Sequence, residues 1–313
     1  MNFVLYANDE IAKRLYNKGL LFKKRITFDV NEFNQDNIIS IYKFKKEYLG
    51  EYIVIPSFIS DDLQVDNIYD ELLNLGFSHE KILFIPIEMV LGDEQVKFNK
   101  FYNYGEIVYL DYLEISINDG CNMNCKGCSH FANLAPKKNK DFSSFEADFR
   151  KLKTIFPHVF KIRIMGGEPF LNPEIDKYVK MIKEIYPYTD LRIVSNGILL
   201  NSMKKEVLEL IKNNDVMIDI SVYPLMQDKI DDIVERLKKY GVKLFLENIT
   251  SFKPILLNKK TKYPFTRLNN CTCINLQDGK LAPCPLPFTI DYYNSMFETS
   301  MYSTKNSTIN IYD

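Results

Sequence analysis

Three cysteines fall within eight residues in Cys121-Asn-Met-Asn-Cys125-Lys-Gly-Cys128, shortly after the strand-like run at 113–117. No other feature restricts the fold as much, because the chain must present three thiols on one short loop at a strand end. Three thiolates so spaced can hold three irons of a [4Fe–4S] cube, and no fourth cysteine follows nearby for the last iron. An iron without a protein ligand is open to a ligand from elsewhere. The rival reading is a structural zinc site. Zinc prefers four ligands, commonly as two C-x2-C pairs, so the triplet would have to borrow from distant cysteines.

The chain has 313 residues, which suggests two domains, or one of roughly 200 residues with an appendage. Its 40 Lys and Arg nearly balance 41 Asp and Glu, so no footprint of a dedicated nucleic-acid binder exists. The N-terminus lacks the basic start and apolar stretch of a signal peptide. No run approaches the ~18–20 apolar residues of a membrane span. A cytoplasmic location is expected, where cysteines point to metal or redox chemistry and not to a disulfide frame. Their grouping into 121/125/128 and 271/273/284 agrees.

Residues 1–100 read as a small Rossmann-like α/β unit, with β-rich runs at 3–6, 26–30, 52–56 and 81–86 and a helix ending at Gly76. The turn where a dinucleotide fingerprint would lie, Tyr6-Ala7-Asn8-Asp9-Glu10, has no glycine, which argues against nucleotide binding there. Packing, docking or presenting a substrate is the expected use. Residues 87–111 read as a connection.

From Tyr112 the alternation strengthens. Strands are expected at 113–117, 161–165, 191–195, 216–222 and 242–247, with amphipathic helices between them. About five strands with helices suffice for a partial (β/α) barrel over 112–250. In such barrels chemistry gathers at the C-terminal strand ends. There the chain places the cysteine loop, Gly166-Gly167-Glu168-Pro169, Ser195-Asn196-Gly197 and Tyr223-Pro224, in that order.

On these residues the segment 112–247 resembles the radical SAM superfamily. The resemblance implies that Cys121, Cys125 and Cys128 ligate a [4Fe–4S] cluster whose fourth iron is chelated by S-adenosylmethionine. It also implies reductive cleavage to a 5′-deoxyadenosyl radical that abstracts hydrogen, with an electron donor such as flavodoxin or ferredoxin. Gly166, Gly167 and Glu168 would meet the methionine ammonium, and Ser195, Asn196 and Ser221 would contact cofactor or substrate. One departure stands out. The residue before the third cysteine is usually aromatic in this family and here is Gly127, which leaves the adenine to Phe131 or His130. Tyr223 and Glu247, at strand ends, are the catalytic candidates.

Residues 251–313 read as a C-terminal extension. A hairpin turn at Asp278-Gly279 would return Cys284 towards Cys271 and Cys273. The Gly279-x4-Cys284 element resembles SPASM or twitch auxiliary-cluster modules in reduced form, which implies a second Fe–S cluster. Zinc, or thiols that merely pack as small hydrophobes, are the alternatives. The tail after Asp291 reads as flexible or as a cap over the site. Three functions stay open: hydrogen abstraction from a small metabolite such as a sugar or nucleotide-sugar, modification of a peptide or protein, and a non-catalytic electron-transfer or redox-sensing role. The Gly-Gly-Glu segment argues against the last.

Overall fold

The computed structural model describes residues 3–6, 13, 15, 24–27, 38–40, 49, 51–56, 65–85, 102–103, 108–251, 273–300 and 307–313, and strands alternate with helices over 109–248. The glycine-free turn at 7–10 and Cys271 lie outside the described residues. The chain divides into two compact units, Met1–Val108 and Tyr109–Asp313.

The first unit holds strands β1 (Phe3–Tyr6), β2 (Lys24–Thr27), β3 (Ile38–Ser40), β4 (Tyr52–Pro56), β5 (Ile82–Ile85) and β6 (Tyr102–Asn103), with helix α1 (Val65–Asn74). Their order is β3-β2-β1-β4-β5-β6, parallel except for β6. Ile53 and Ile55 of β4 pack with Ile68 and Leu72 of α1 and with Ile82 and Phe84 of β5. Strands this apolar suit a parallel sheet covered by helices.

The second unit follows the same logic on a larger scale. It runs β7 (Tyr109–Ser116), α2 (Phe142–Ile155), β8 (His158–Met165), α3 (Ile175–Ile185), β9 (Asp190–Ser195), α4 (Lys205–Asn213), β10 (Met217–Val222), α5 (Ile230–Lys239) and β11 (Lys243–Asn248). Strands β7 to β11 are parallel neighbours in sequence order, as a right-handed βα series requires. The result is a partial (β/α) barrel open along β11.

Period-two alternation gives each strand two chemically different faces. Leu113, Ile115, Ile162, Ile164, Leu191, Ile193, Ile218 and Ile220 meet the helices, where Phe149, Tyr178, Ile182, Leu208 and Leu237 close the core. Burying each such side chain fully is worth ~1.5–3 kcal/mol, so this face holds the barrel together. The alternate positions carry charge. Arg163 pairs with Asp219 at 3.1 Å, and Arg192 with Asp190 at 2.7 Å and Asp219 at 3.6 Å. The Tyr112 hydroxyl donates to Glu114 at 2.6 Å.

Beyond β7 the sheet continues with β12 (Ile274–Gln277), β13 (Lys280–Ala282) and β14 (Ile309–Asn310). Strand β12 is parallel to β7, while β13 and β14 are antiparallel to their neighbours. Asp278 and Gly279 turn the hairpin with φ of 48° and 69°, as a type I′ turn needs. Helix α6 (Leu286–Met296) follows. It takes in residues 292–296 of the tail that reads as flexible or as a cap.

Among the described residues no helix is long and apolar enough to cross a membrane.

Candidate functional site

The loop after β7 and the loop after β8 are joined through Asn118, which is 2 % exposed. Its side-chain amide donates to the carbonyls of Gly120 at 3.1 Å and Glu168 at 2.8 Å. In return Gly167 N–H donates to Asn118 O at 3.1 Å, and Glu168 N–H to Gly120 O at 3.0 Å. Side chains cannot fit between strands of backbone this close. A Cβ on Gly166, whose φ is +142°, would lie 2.3 Å from Asn118 O, and one on Gly167 would lie 2.0 Å from Gly120 O. The two glycines thus let the cysteine loop's own backbone approach.

Glu168 is 1 % exposed, yet its carboxylate is well supplied with donors. Oε1 accepts from Ser195 Oγ at 2.8 Å and Phe170 N at 3.3 Å, and Oε2 from Asn196 N at 2.9 Å. Burial outweighs these bonds and pushes its pKa up to about 7. Glu168 therefore ties the end of β8 to the end of β9, a role the sequence did not suggest.

The three thiols share a cavity of about 150 Å³ with Gly166, Gly167, Glu168, Ser195, Asn196, Ser221, Tyr223, His130 and Met165. Burial raises the pKa of Cys121 and Cys125, and neighbouring thiolates of the triplet raise both further. Cys121 Sγ accepts from Met123 N at 3.4 Å and Asn196 Nδ2 at 3.7 Å. Three soft sulfur donors that repel one another once ionised, around a cavity, are the donor set an iron–sulfur cluster neutralises. The residues present fit the group. Among the described residues, no three His, Cys, Asp or Glu side chains gather around a single-ion point.

Tyr223 lines the cavity, and burial pushes its phenol up to about 12, with the three cysteines adding to the shift. Glu247 does not line it. That residue is exposed on β11, the outermost strand, beside Ser221 in register. Of the two aromatic candidates for the adenine, His130 lines the cavity. Phe131, buried with a φ of +47°, packs on Tyr293 of α6 at 5.6 Å. Asn118 and Met165 were not anticipated from sequence. A polar residue directly after the last apolar position of the expected strand, Ile117, was the available signal for Asn118.

Cys273 and Cys284 lie outside this cavity. Extending the β12–β13 register by two residues sets them opposite each other. Cys273 adjoins Tyr112, whose phenol is raised far above its ordinary range, first by burial and then by Glu114.

Residues 115–250 match the family model described as the Radical SAM superfamily. A GTP 3′,8-cyclase of Campylobacter curvus is 35 % identical over 105 residues, 33 % of this chain and 32 % of that protein. A GTP 3′,8-cyclase of Clostridium botulinum is 28 % identical over 177 residues, 50 % of this chain and 54 % of its own length. The chain thus spans about a third to a half of the length of these curated relatives. Among solved structures, BtrN in complex with AdoMet and 2-DOIA has a TM-score of 0.43 at 17 % identity, covering 60 % of this chain and 76 % of that one. Streptococcus suis SuiB has a TM-score of 0.38 at 20 % identity, covering 46 % and 34 %.

Proposed function

Residues 115–250 are a radical SAM domain, and we propose that the chain uses it to cleave S-adenosylmethionine reductively and take a hydrogen atom from a small metabolite. One observation carries this reading. Three thiols and the polar groups of three further strand ends, far apart in sequence, line a single cavity.

Cys121, Cys125 and Cys128 would hold the [4Fe–4S] cluster. Once bound there, such a cluster would supply the one-electron reduction on which reductive cleavage of S-adenosylmethionine depends. The protein's residues bind and orient. The backbone at Gly166 and Gly167 offers polar groups without side-chain bulk beside the cysteines, where the cofactor's amino-acid end belongs. Ser221 offers a hydroxyl to its ribose, whereas the Ser195 hydroxyl is already engaged, donating to Glu168 Oε1 and accepting from Gly197 N–H. Burial raises the Tyr223 phenol, so it would keep its proton at neutral pH and offer a hydrogen-bond donor to the cavity. A flavodoxin- or ferredoxin-type protein would supply the electron. Cys271, Cys273 and Cys284 would hold a second cluster.

For the substrate, the relatives' name favours a purine nucleoside triphosphate over the sugar or nucleotide-sugar expected from sequence. Nothing in the site favours a peptide.

Anaerobically reconstituted protein incubated with S-adenosylmethionine and dithionite tests this reading. The expected result is 5′-deoxyadenosine, with its yield raised by GTP or another purine nucleotide in a panel that includes nucleotide-sugars. Fully iron-loaded protein that releases none under several reductants would overturn it.

A further inference from the structure

Asn196 commits its side chain to the protein. The residue is 7 % exposed. Oδ1 accepts from Ile198 N at 3.0 Å, which fixes the amide's orientation and aims Nδ2 at the cysteine loop. Nδ2 then donates to Asn122 Oδ1 at 2.7 Å and to Cys121 Sγ at 3.7 Å. The backbone N–H of Asn196 goes to Glu168 Oε2. Both amide hydrogens are thus in use, and none is left for a cofactor or substrate.

We infer that Asn196 is a positioning residue for Cys121: it holds the thiolate in place, and its N–H···S contact raises the reduction potential of the cluster that the triplet would carry. This rests on the proposed cluster. The contact withdraws electron density from the thiolate and so favours the more negative, reduced cluster. Hydrogen bonds to cluster sulfurs are among the known determinants of such potentials. Partners that orient a metal ligand also govern metal retention. On the same loop after β9, the Asn196 backbone N–H is held by the Glu168 carboxylate from the loop after β8, which links this contact to Glu168.

The test is an EPR-monitored redox titration of full-length reconstituted protein. The signal that responds to S-adenosylmethionine identifies the triplet's cluster. Asn196→Ala removes both donors without adding charge. It should lower the reduced fraction at a fixed potential about tenfold, equivalent to about 59 mV for one electron. Asn122→Ala removes the loop partner but leaves the sulfur contact, and should titrate like wild type. Asn196→Ser keeps a short donor and should fall between the two; it takes the place of Asn196→Ala if that variant misfolds. Loss of iron to a chelator at least tenfold faster, with circular dichroism unchanged, also supports the positioning role. Unchanged potential and unchanged iron release in the Asn196 variants would overturn the inference, as would an equal shift in Asn122→Ala. Wild-type protein that takes up no iron would instead overturn the proposed function on which the inference stands.

Discussion

The Glu168 carboxylate and the Ser195 hydroxyl, 27 residues apart in sequence, meet at 2.8 Å in the lining of the cavity that the three thiols share. This bond fastens the second strand end of the barrel to the third. It also makes a buried carboxyl the keystone of the site, which has a consequence for stability.

In the metal-free protein the pKa of Glu168 is about 7, against 4.5 for an ordinary glutamate, mainly because burial disfavours the charge. Between these values the folded chain holds a proton that the unfolded chain has released. Its contribution is therefore fully present below about pH 4.5, falls as pH rises, and is lost above about pH 7. The shift corresponds to roughly 3 kcal/mol at most. Urea unfolding across this range should show wild type losing stability relative to Glu168→Gln as pH rises. Parallel profiles for the two proteins would contradict the assignment.

Gly167→Ala places a methyl 2.0 Å from the carbonyl oxygen of Gly120 and 2.7 Å from Cys121 N. These are backbone atoms and cannot rotate away, so the cysteine loop itself has to move. A cost of about 1–3 kcal/mol is expected, with reconstituted iron content falling at least tenfold. Thermal melting and iron assay measure both. Full iron loading would show that the loops do not depend on this approach.

Asp148 of α2 is expected to hold the C-terminal hairpin in place. Its Oδ2 accepts from Gly279 N at 2.7 Å and its Oδ1 from Tyr312 OH at 2.8 Å, while Ile311 N donates to Gly279 O at 2.9 Å. Asp148→Ala leaves the Gly279 N–H without its partner and should cost about 1–3 kcal/mol. Hydrogen exchange should speed up at 274–282 and stay unchanged at 191–195. Uniform exchange across both segments would deny Asp148 a local role.

Much of this architecture was legible in the sequence because it rests on local periodicity. The strands at 191–195 and 217–222 alternate or run apolar between clear helices, and the cysteine loop and Gly166-Gly167 follow strand ends directly. The hairpin at Asp278-Gly279 was legible too, since both residues tolerate positive φ. Pairings between distant segments were not. Nothing in 274–277 shows that it lies parallel to β7, because register between remote strands is set by the whole sheet. For the same reason Phe131 and His130 read alike as neighbours of the adenine, although of the two His130 lines the cavity and the Phe131 ring packs on Tyr293. Glu247 read as a strand-end candidate, although its strand is the outermost one. Asn118 and Asp148 looked like ordinary polar residues. Their weight comes from backbone groups 50 and 131 residues away.

The second cysteine group gives a counting experiment. In Cys121→Ala/Cys125→Ala/Cys128→Ala protein, about four irons per chain should remain if Cys271, Cys273 and Cys284 hold a [4Fe–4S] cluster. An iron-free variant that is still folded would rule out that cluster.

The most direct measurement is EPR of the dithionite-reduced Cys271→Ala/Cys273→Ala/Cys284→Ala variant, in which the triplet is the remaining cysteine group, with and without S-adenosylmethionine. If the triplet leaves one iron open to that ligand, a reduced-cluster signal is present and its g-values change when the ligand is added. A reduced-cluster signal indifferent to saturating S-adenosylmethionine would contradict the central claim.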